Sequence, residues 1–213
     1  MAVIKSSSRS FYLAMSLLML GIVTYGFSQT IGAKLLHSTQ PNRVLVGAHG
    51  AIFYAWTLLF VAQCALIRVN RVRLHRSLGW LAAGDGVLVV ISGVWITFAA
   101  PAPNVFFRFL GMVSILGFAV PFALAMRWRR RPEIHRRLLI VSTAVLTNAA
   151  FARFPSFFDP AHFFYAGTDL LILAGIAHDL YVRRTVHVVY RAAFPVLLAA
   201  EITVLIPVWR YLR

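Results

Sequence analysis

The chemistry-bearing residues of this chain stand out because of where they lie: Asp85, Asp169 and Glu201 sit inside long apolar runs, as do His49, Gln63, Asn148, Arg153 and His178, with Asp179 near a run's end. An ionisable side chain at membrane depth costs about 3 kcal/mol or more unless it is turned inward and partnered, so each marks a functional or packing site. Placed by helical rise, they sort into two layers. The inner one holds His75, Asp85, His135 and His178; the outer one holds His49, Arg108, Asn148, Arg153 and Asp169, with Glu201 between them.

In the inner layer His75, His135 and His178 come from three different helices. Three imidazoles suit a transition metal, and two axial imidazoles suit the iron of a haem b, with Arg76 or Arg136 facing its propionates. Asp85 lies ten residues beyond His75, about 80° round the helix and about 15 Å deeper. It is therefore a proton or hydrogen-bond partner rather than a ligand of the same ion. His187 lies beside arginines and reads as an interfacial residue, while His37 and His162 fall in outer connections and read as solvated. In the outer layer Arg153 and Asp169, on successive antiparallel helices, are expected to form an ion pair. Either that pair only fixes helix packing, or it belongs to a binding site with Arg108 and Asn148. His49, Trp56 and Gln63 recur at seven-residue steps and share one helical face, flanked by Phe53 and Phe60.

Missing signatures narrow the choices. No lysine lies in the interior of an apolar run, since Lys34 stands at the very end of the first, so a retinal Schiff base has no attachment point at mid-membrane, and no phosphate-binding glycine loop, nucleophile motif or zinc-protease motif occurs.

The elements that must carry these residues are membrane helices. Of 213 residues 60% are hydrophobic and only 13% charged, with a mean hydropathy of +0.77, which excludes a water-soluble enzyme and a disordered tail. Cys64 is the only cysteine, so a disulfide scaffold is excluded too. Apolar runs of roughly 20 residues fall at 11–36, 44–67, 78–100, 105–126, 138–154, 163–182 and 192–211. The expected fold is thus all-α: a single seven-helix transmembrane domain over residues 1–213. Lys5 and Arg9 precede the first run like a signal peptide, yet the run is long and lacks a small-x-small cleavage site, so it reads as a retained helix.

Net charge is +15. Lys5, Arg9, Arg68, Arg71, Arg73, Arg76, Arg127, Arg129, Arg130, Arg131, Arg136, Arg137, Arg183, Arg184 and Arg191 fall on one side, 15 of the 21 basic residues. The other 6 are Lys34, Arg43, Arg108, Arg153, Arg210 and Arg213. The rich side is expected to be cytoplasmic, with the N-terminus inside, the C-terminus outside, and a bacterial inner membrane as the location. The basic surface then meets anionic lipid headgroups rather than nucleic acid. Gly79, Gly86 and Gly93 share one face of the third span, where a neighbouring helix can approach.

The stretch His49-Gly50-Ala51-Ile52-Phe53-Tyr54-Ala55-Trp56, then Gln63, Arg68, His75-Arg76-Ser77-Leu78-Gly79-Trp80 and Gly93, resembles the helix pairs of the transmembrane ascorbate-reducible cytochrome b family. The step Pro132-Glu133-Ile134-His135-Arg136-Arg137-Leu138 is similar to one in uncharacterised bacterial multi-span proteins. The likeness covers about a quarter of the chain. It implies histidine-held haems, one per leaflet, with His49, His75 and His135 as candidate ligands. The leading expectation is therefore a haem- or metal-binding membrane protein moving electrons, an oxidoreductase whose cofactor is held by His49, His75, His135 and His178. The alternatives are a small transporter or binding protein using Arg153 and Asp169, with Pro121, Pro195 and Pro207 bending its helices, and a subunit that assembles with a membrane protein partner.

Overall fold

The computed structural model describes residues 2–31, 42–99, 105–154 and 160–211. Among them the protein is all-helical: α1 Ala2–Ile31, α2 Arg43–Arg68, α3 Val72–Ala99, α4 Val105–Arg127, α5 Pro132–Leu146, the short α6 Asn148–Phe151, α7 Pro160–Arg183 and α8 Val188–Tyr211. Five segments are long and apolar enough to cross a membrane, namely Arg9–Ile31, Arg43–Arg68, Val72–Ala99, Arg108–Arg127 and Val188–Ile206. The two other expected spans fall on α5–α6 and on α7. α5 stops at Leu146 after 15 residues, and α7 carries Asp169, Asp179 and Arg183. The helices form two compact units, residues 1–100 and 101–213.

The first unit is an antiparallel run of α1, α2 and α3. Arg9 bonds Asn70, and Arg68 donates to Ser10 (3.0 Å), tying the start of α1 to the end of α2. The contact of Thr24 with Tyr54 (3.1 Å) and the packing of Phe27 on Phe53 continue the same register. Asn70, at φ 61°, turns the chain into α3 in the left-handed region that asparagine tolerates. The outer face of α3 carries exposed Trp80, Leu81, Leu88, Ile91, Trp95 and Phe98. Its two exposed tryptophans lie about 22 Å apart by helical rise. Gly86 and Gly93 are buried as a packing face requires, whereas Gly79 has open space beside it.

The second unit is built round α5. Ile140, Val141 and Ala144 are fully buried, and α4, α7 and α8 all pack against this helix. Such enclosure explains why α5 reads less apolar than its neighbours: its polar groups are paired inside the protein and do not meet lipid. Gly117 admits α5 closely, because a β-carbon there would meet Val145 at 2.9 Å. Pro121, one turn later, removes the amide that would have bonded the carbonyl of residue 117, yet α4 runs through it. Phe151 lies against Gly167, and Tyr190 against Gly175, so α7 meets both α6 and α8 at glycines.

Candidate functional site

Antiparallel pairing of α2 with α3 places three polar groups along one seam. At one end His49 Nδ1 shares a hydrogen bond with Ser92 Oγ (2.9 Å). At the other, Gln63, with its amide turned so that both ends are satisfied, donates to His75 Nδ1 and accepts from the Gly79 N–H (3.0 Å). Halfway between these contacts on each helix stand Trp56, buried, and Asp85, whose Oδ2 is buried with no hydrogen-bond partner among the described residues. The seven-residue stripe His49–Trp56–Gln63 is thus the face that α2 turns to α3. Because Gln63 donates to Nδ1, the neutral His75 ring carries its proton on Nε2. That nitrogen donates and is not a ligand lone pair.

His135, at the start of α5, has the opposite arrangement. Its Nδ1 contacts the Ala125 carbonyl of α4 at 2.9 Å. A carbonyl only accepts, so Nδ1 holds the proton and Nε2 presents a lone pair. Burial, only partly offset by that hydrogen bond, holds its pKa below the ordinary imidazole value, so the ring is neutral at pH 7. A carbonyl-anchored imidazole of this kind is how metal-ligating histidines are oriented.

Two residues beyond His135 lies a densely hydrogen-bonded group of charges. Arg137 and Asp179 are each 1% exposed. Arg137 donates Nε to Asp179 Oδ2 (2.8 Å), Nη2 to Asp179 Oδ1, and Nη1 to both the Glu133 carbonyl (2.7 Å) and Glu133 Oε2 (2.8 Å). Glu133 also accepts from Arg136 (2.6 Å) and Arg183 (2.6 Å). Burial alone would raise the Glu133 pKa, but the hydrogen bond from Arg137 and the charges of Arg136, Arg137 and Arg183 hold it below the usual carboxylate range. Asp179 Oδ2 accepts the His187 N–H (3.3 Å), and His187 Nδ1 accepts the Val189 N–H (3.2 Å), capping α8. The network therefore fastens α5, α7 and α8 at the level of His135 and His178.

Farther along α5 and α7 comes a second polar cluster. Thr168 donates to Asn148 Oδ1 and approaches the Ala144 carbonyl (3.2 Å), which also accepts from Thr147 (2.6 Å). Both hydroxyls converge on the Ala144 carbonyl, which also takes the Thr147 N–H (3.0 Å) where α5 gives way to α6. Next to them the Asp169 carboxyl hydrogen-bonds that of Glu201 from α8, a contact that needs a proton on at least one of the pair.

The expected Arg153–Asp169 ion pair does not form: Asp169 turns to Glu201, its Oδ1 is buried without a hydrogen-bond partner, and Arg153 donates to the Ala149 carbonyl. The reason is depth, since Asp169 and Glu201 lie 14 and 13 residues from the adjacent ends of α7 and α8, Arg183 and Val188. Arg108 is exposed on α4. His75 belongs to the first unit, His135 and His178 to the second, and among the described residues no three His, Cys, Asp or Glu side chains gather as a metal-binding group. His37 and the side chain of His162 lie outside the described residues. Counting Arg137 among loop charges missed its burial. The available signal was its spacing, four residues after Glu133 and in line with Val141 and Ala144 on the buried face. Comparison of the chain with protein-family models, curated proteins and solved structures found no match.

Proposed function

We propose that this chain is a seven-span protein of a bacterial inner membrane, with its N-terminus in the cytoplasm, that holds a haem b or a transition metal through histidine and passes electrons. The observation that carries the reading is His135: a neutral ring, anchored through Nδ1 on a backbone carbonyl, with Nε2 left as a lone pair. His178 joins it as the inner candidate, because the Arg137–Asp179 bond brings α5 and α7 together beside both histidines. His49, oriented on Ser92, is the outer candidate. His75 fits less well as an Nε2 ligand, since Gln63 holds the other tautomer. A bound haem or metal would supply the one-electron chemistry, while the chain's own residues orient its ligands and exclude water. The fifth and sixth spans are α5–α6 and α7; they cross beside α4 and α8, turning Arg137, Asp179 and Asp169 away from lipid. The 15-to-6 division of basic residues supports the orientation.

The test is spectroscopic. Protein purified in detergent from haem-replete cells is expected to show a Soret band that shifts on dithionite, or a bound metal by elemental analysis, and His135→Ala is expected to lose it. A colourless, metal-free protein that takes up neither haemin nor a divalent transition metal would end this reading.

One observation favours a second reading, a small transporter or binding protein: the Asp169–Glu201 carboxyl pair beside Asn148 and Thr168, where a helix is interrupted inside the bundle. Asp169→Asn would then abolish uptake in vesicles while the protein still folds; unchanged uptake in that variant would leave the pair a packing contact.

A further inference from the structure

The described acids are committed away from the cations of the α4–α5 turn. Of the five described acids, Asp179 is held by Arg137, Glu133 by Arg136, Arg137 and Arg183, Asp169 and Glu201 by each other, and Asp85 lies in the α2–α3 seam. The turn itself carries Arg127, Arg129, Arg130 and Arg131, all exposed. Its backbone is closed tightly: Trp128 N–H donates to the Leu124 carbonyl (2.9 Å), Arg131 N–H to Trp128 (2.8 Å), and the Arg131 carbonyl accepts from both Ile134 and His135 (3.0 Å each). Four guanidinium groups therefore lie within five residues of a fixed loop; Arg129 donates back to the Met126 carbonyl (3.4 Å), and no described carboxylate approaches Arg127, Arg130 or Arg131.

The face of α4 that leads into this turn is apolar and open. Leu116, Val120 and Leu124, exposed by 53%, 53% and 37%, stand one turn apart. Arg127, eleven residues after Leu116, comes back to within about 20° of the same direction. One strip of surface thus runs from three aliphatic side chains into a cluster of cations, with Trp128 half-buried at the junction where an interfacial aromatic is expected. A free phosphate would use only the cations. The continuous aliphatic strip calls for acyl chains attached to the anion.

We propose that this strip is a binding site for one anionic phospholipid, its phosphate held by Arg127, Arg130 and Arg131 and its acyl chains laid along Leu116, Val120 and Leu124. The site does not depend on any cofactor; it rests only on the orientation that puts the α4–α5 turn at the cytoplasmic leaflet. Arginine is suited to the task because its planar fork meets two phosphate oxygens at once.

The experiment uses the full chain, extracted in mild detergent, delipidated and exchanged into bilayer discs of phosphatidylglycerol or phosphatidylcholine. Retained lipid is then read by native mass spectrometry after release. The expected result is one retained phosphatidylglycerol per chain, with phosphatidylcholine retained at least fivefold less. Arg127→Gln/Arg130→Gln/Arg131→Gln is expected to lose the retained lipid, while the charge-matched Arg71→Gln/Arg73→Gln/Arg184→Gln keeps it. Val120→Asn, which leaves every charge in place, is expected to weaken retention. Equal loss in both triple variants would reduce the effect to net charge and overturn the site. Equal retention of the two lipids would overturn it as well. Inorganic phosphate in detergent that raised the thermal midpoint as much as phosphatidylglycerol does would show a phosphate site and refute the lipid one.

Discussion

Removing Arg137 is expected to be the most damaging single change outside the apolar core. Its guanidinium and the Asp179 carboxylate are each 1% exposed, so neither can recover hydration when the other is lost. In Arg137→Met the Asp179 carboxylate keeps only the His187 N–H at 3.3 Å, and the penalty for an uncompensated buried charge is about 3–5 kcal/mol. Asp179→Leu should cost less, near the lower end of that range, because Glu133 still accepts from the orphaned guanidinium through its carbonyl and Oε2. The double variant Arg137→Met/Asp179→Leu removes both charges and leaves two apolar side chains of similar bulk. Its cost should fall to about 1–2 kcal/mol, well below the sum of the singles. Thermal unfolding in detergent, followed by intrinsic fluorescence, reads these differences. At roughly 2–4 °C per kcal/mol for a chain of this length, Arg137→Met should lower the midpoint by about 10 °C. If the double variant is as unstable as the two singles added together, the pair is not a buried, mutually compensating one, and the account of how α5, α7 and α8 are fastened fails.

The cap on α8 should make stability pH-dependent. Burial, then the charges of Arg137 and Arg183, outweigh Asp179 and Glu133 and hold the His187 pKa below that of a free imidazole. The unfolded chain therefore takes up the proton first. The stabilisation is complete above about pH 6.5 and is lost as pH falls from there through the folded value. The protonated ring can no longer accept from Val189, a loss of about 1 kcal/mol; His187→Asn, which caps without titrating, should flatten the midpoint between about pH 7.5 and about pH 5, and an unchanged slope would show that other groups set it. Gly167→Ala and Gly175→Ala force a methyl into Phe151 and Tyr190 respectively. Each should cost about 1–3 kcal/mol, read as a lowered thermal midpoint, and an unchanged midpoint would mean those rings move aside freely. Glu201→Gln can keep a hydrogen bond to Asp169 and should be tolerated, whereas Glu201→Leu leaves that carboxyl without its partner and should cost about 1–3 kcal/mol; equal stability of the two variants would show that the hydrogen bond contributes nothing.

The features legible from sequence were those governed by one helix at a time. Apolar run length located α1, α2, α3, α4 and α8, because a membrane-crossing helix must present hydrophobic side chains over most of its circumference. Seven-residue spacing found the face of α2 that meets Ser92 and His75, because periodicity is a property of a single helix. The residues that escaped depend on which helix is enclosed by the others. α5 is buried on nearly all sides, so its arginine can be an interior residue, and charge counting along the chain assigns the same arginine to a loop. Depth measured from apolar boundaries failed for the same reason. It placed Asp169 near one face and Glu201 in the middle, while counting from the adjacent ends of α7 and α8 puts both at one level. Polar residues shorten an apparent apolar run from within, so the helices that carry a site are those whose ends hydropathy misplaces most. Turns defined by backbone hydrogen bonds, such as those at Asn70 and Trp128–Arg131, are therefore the better origin from which to measure where intramembrane charges meet.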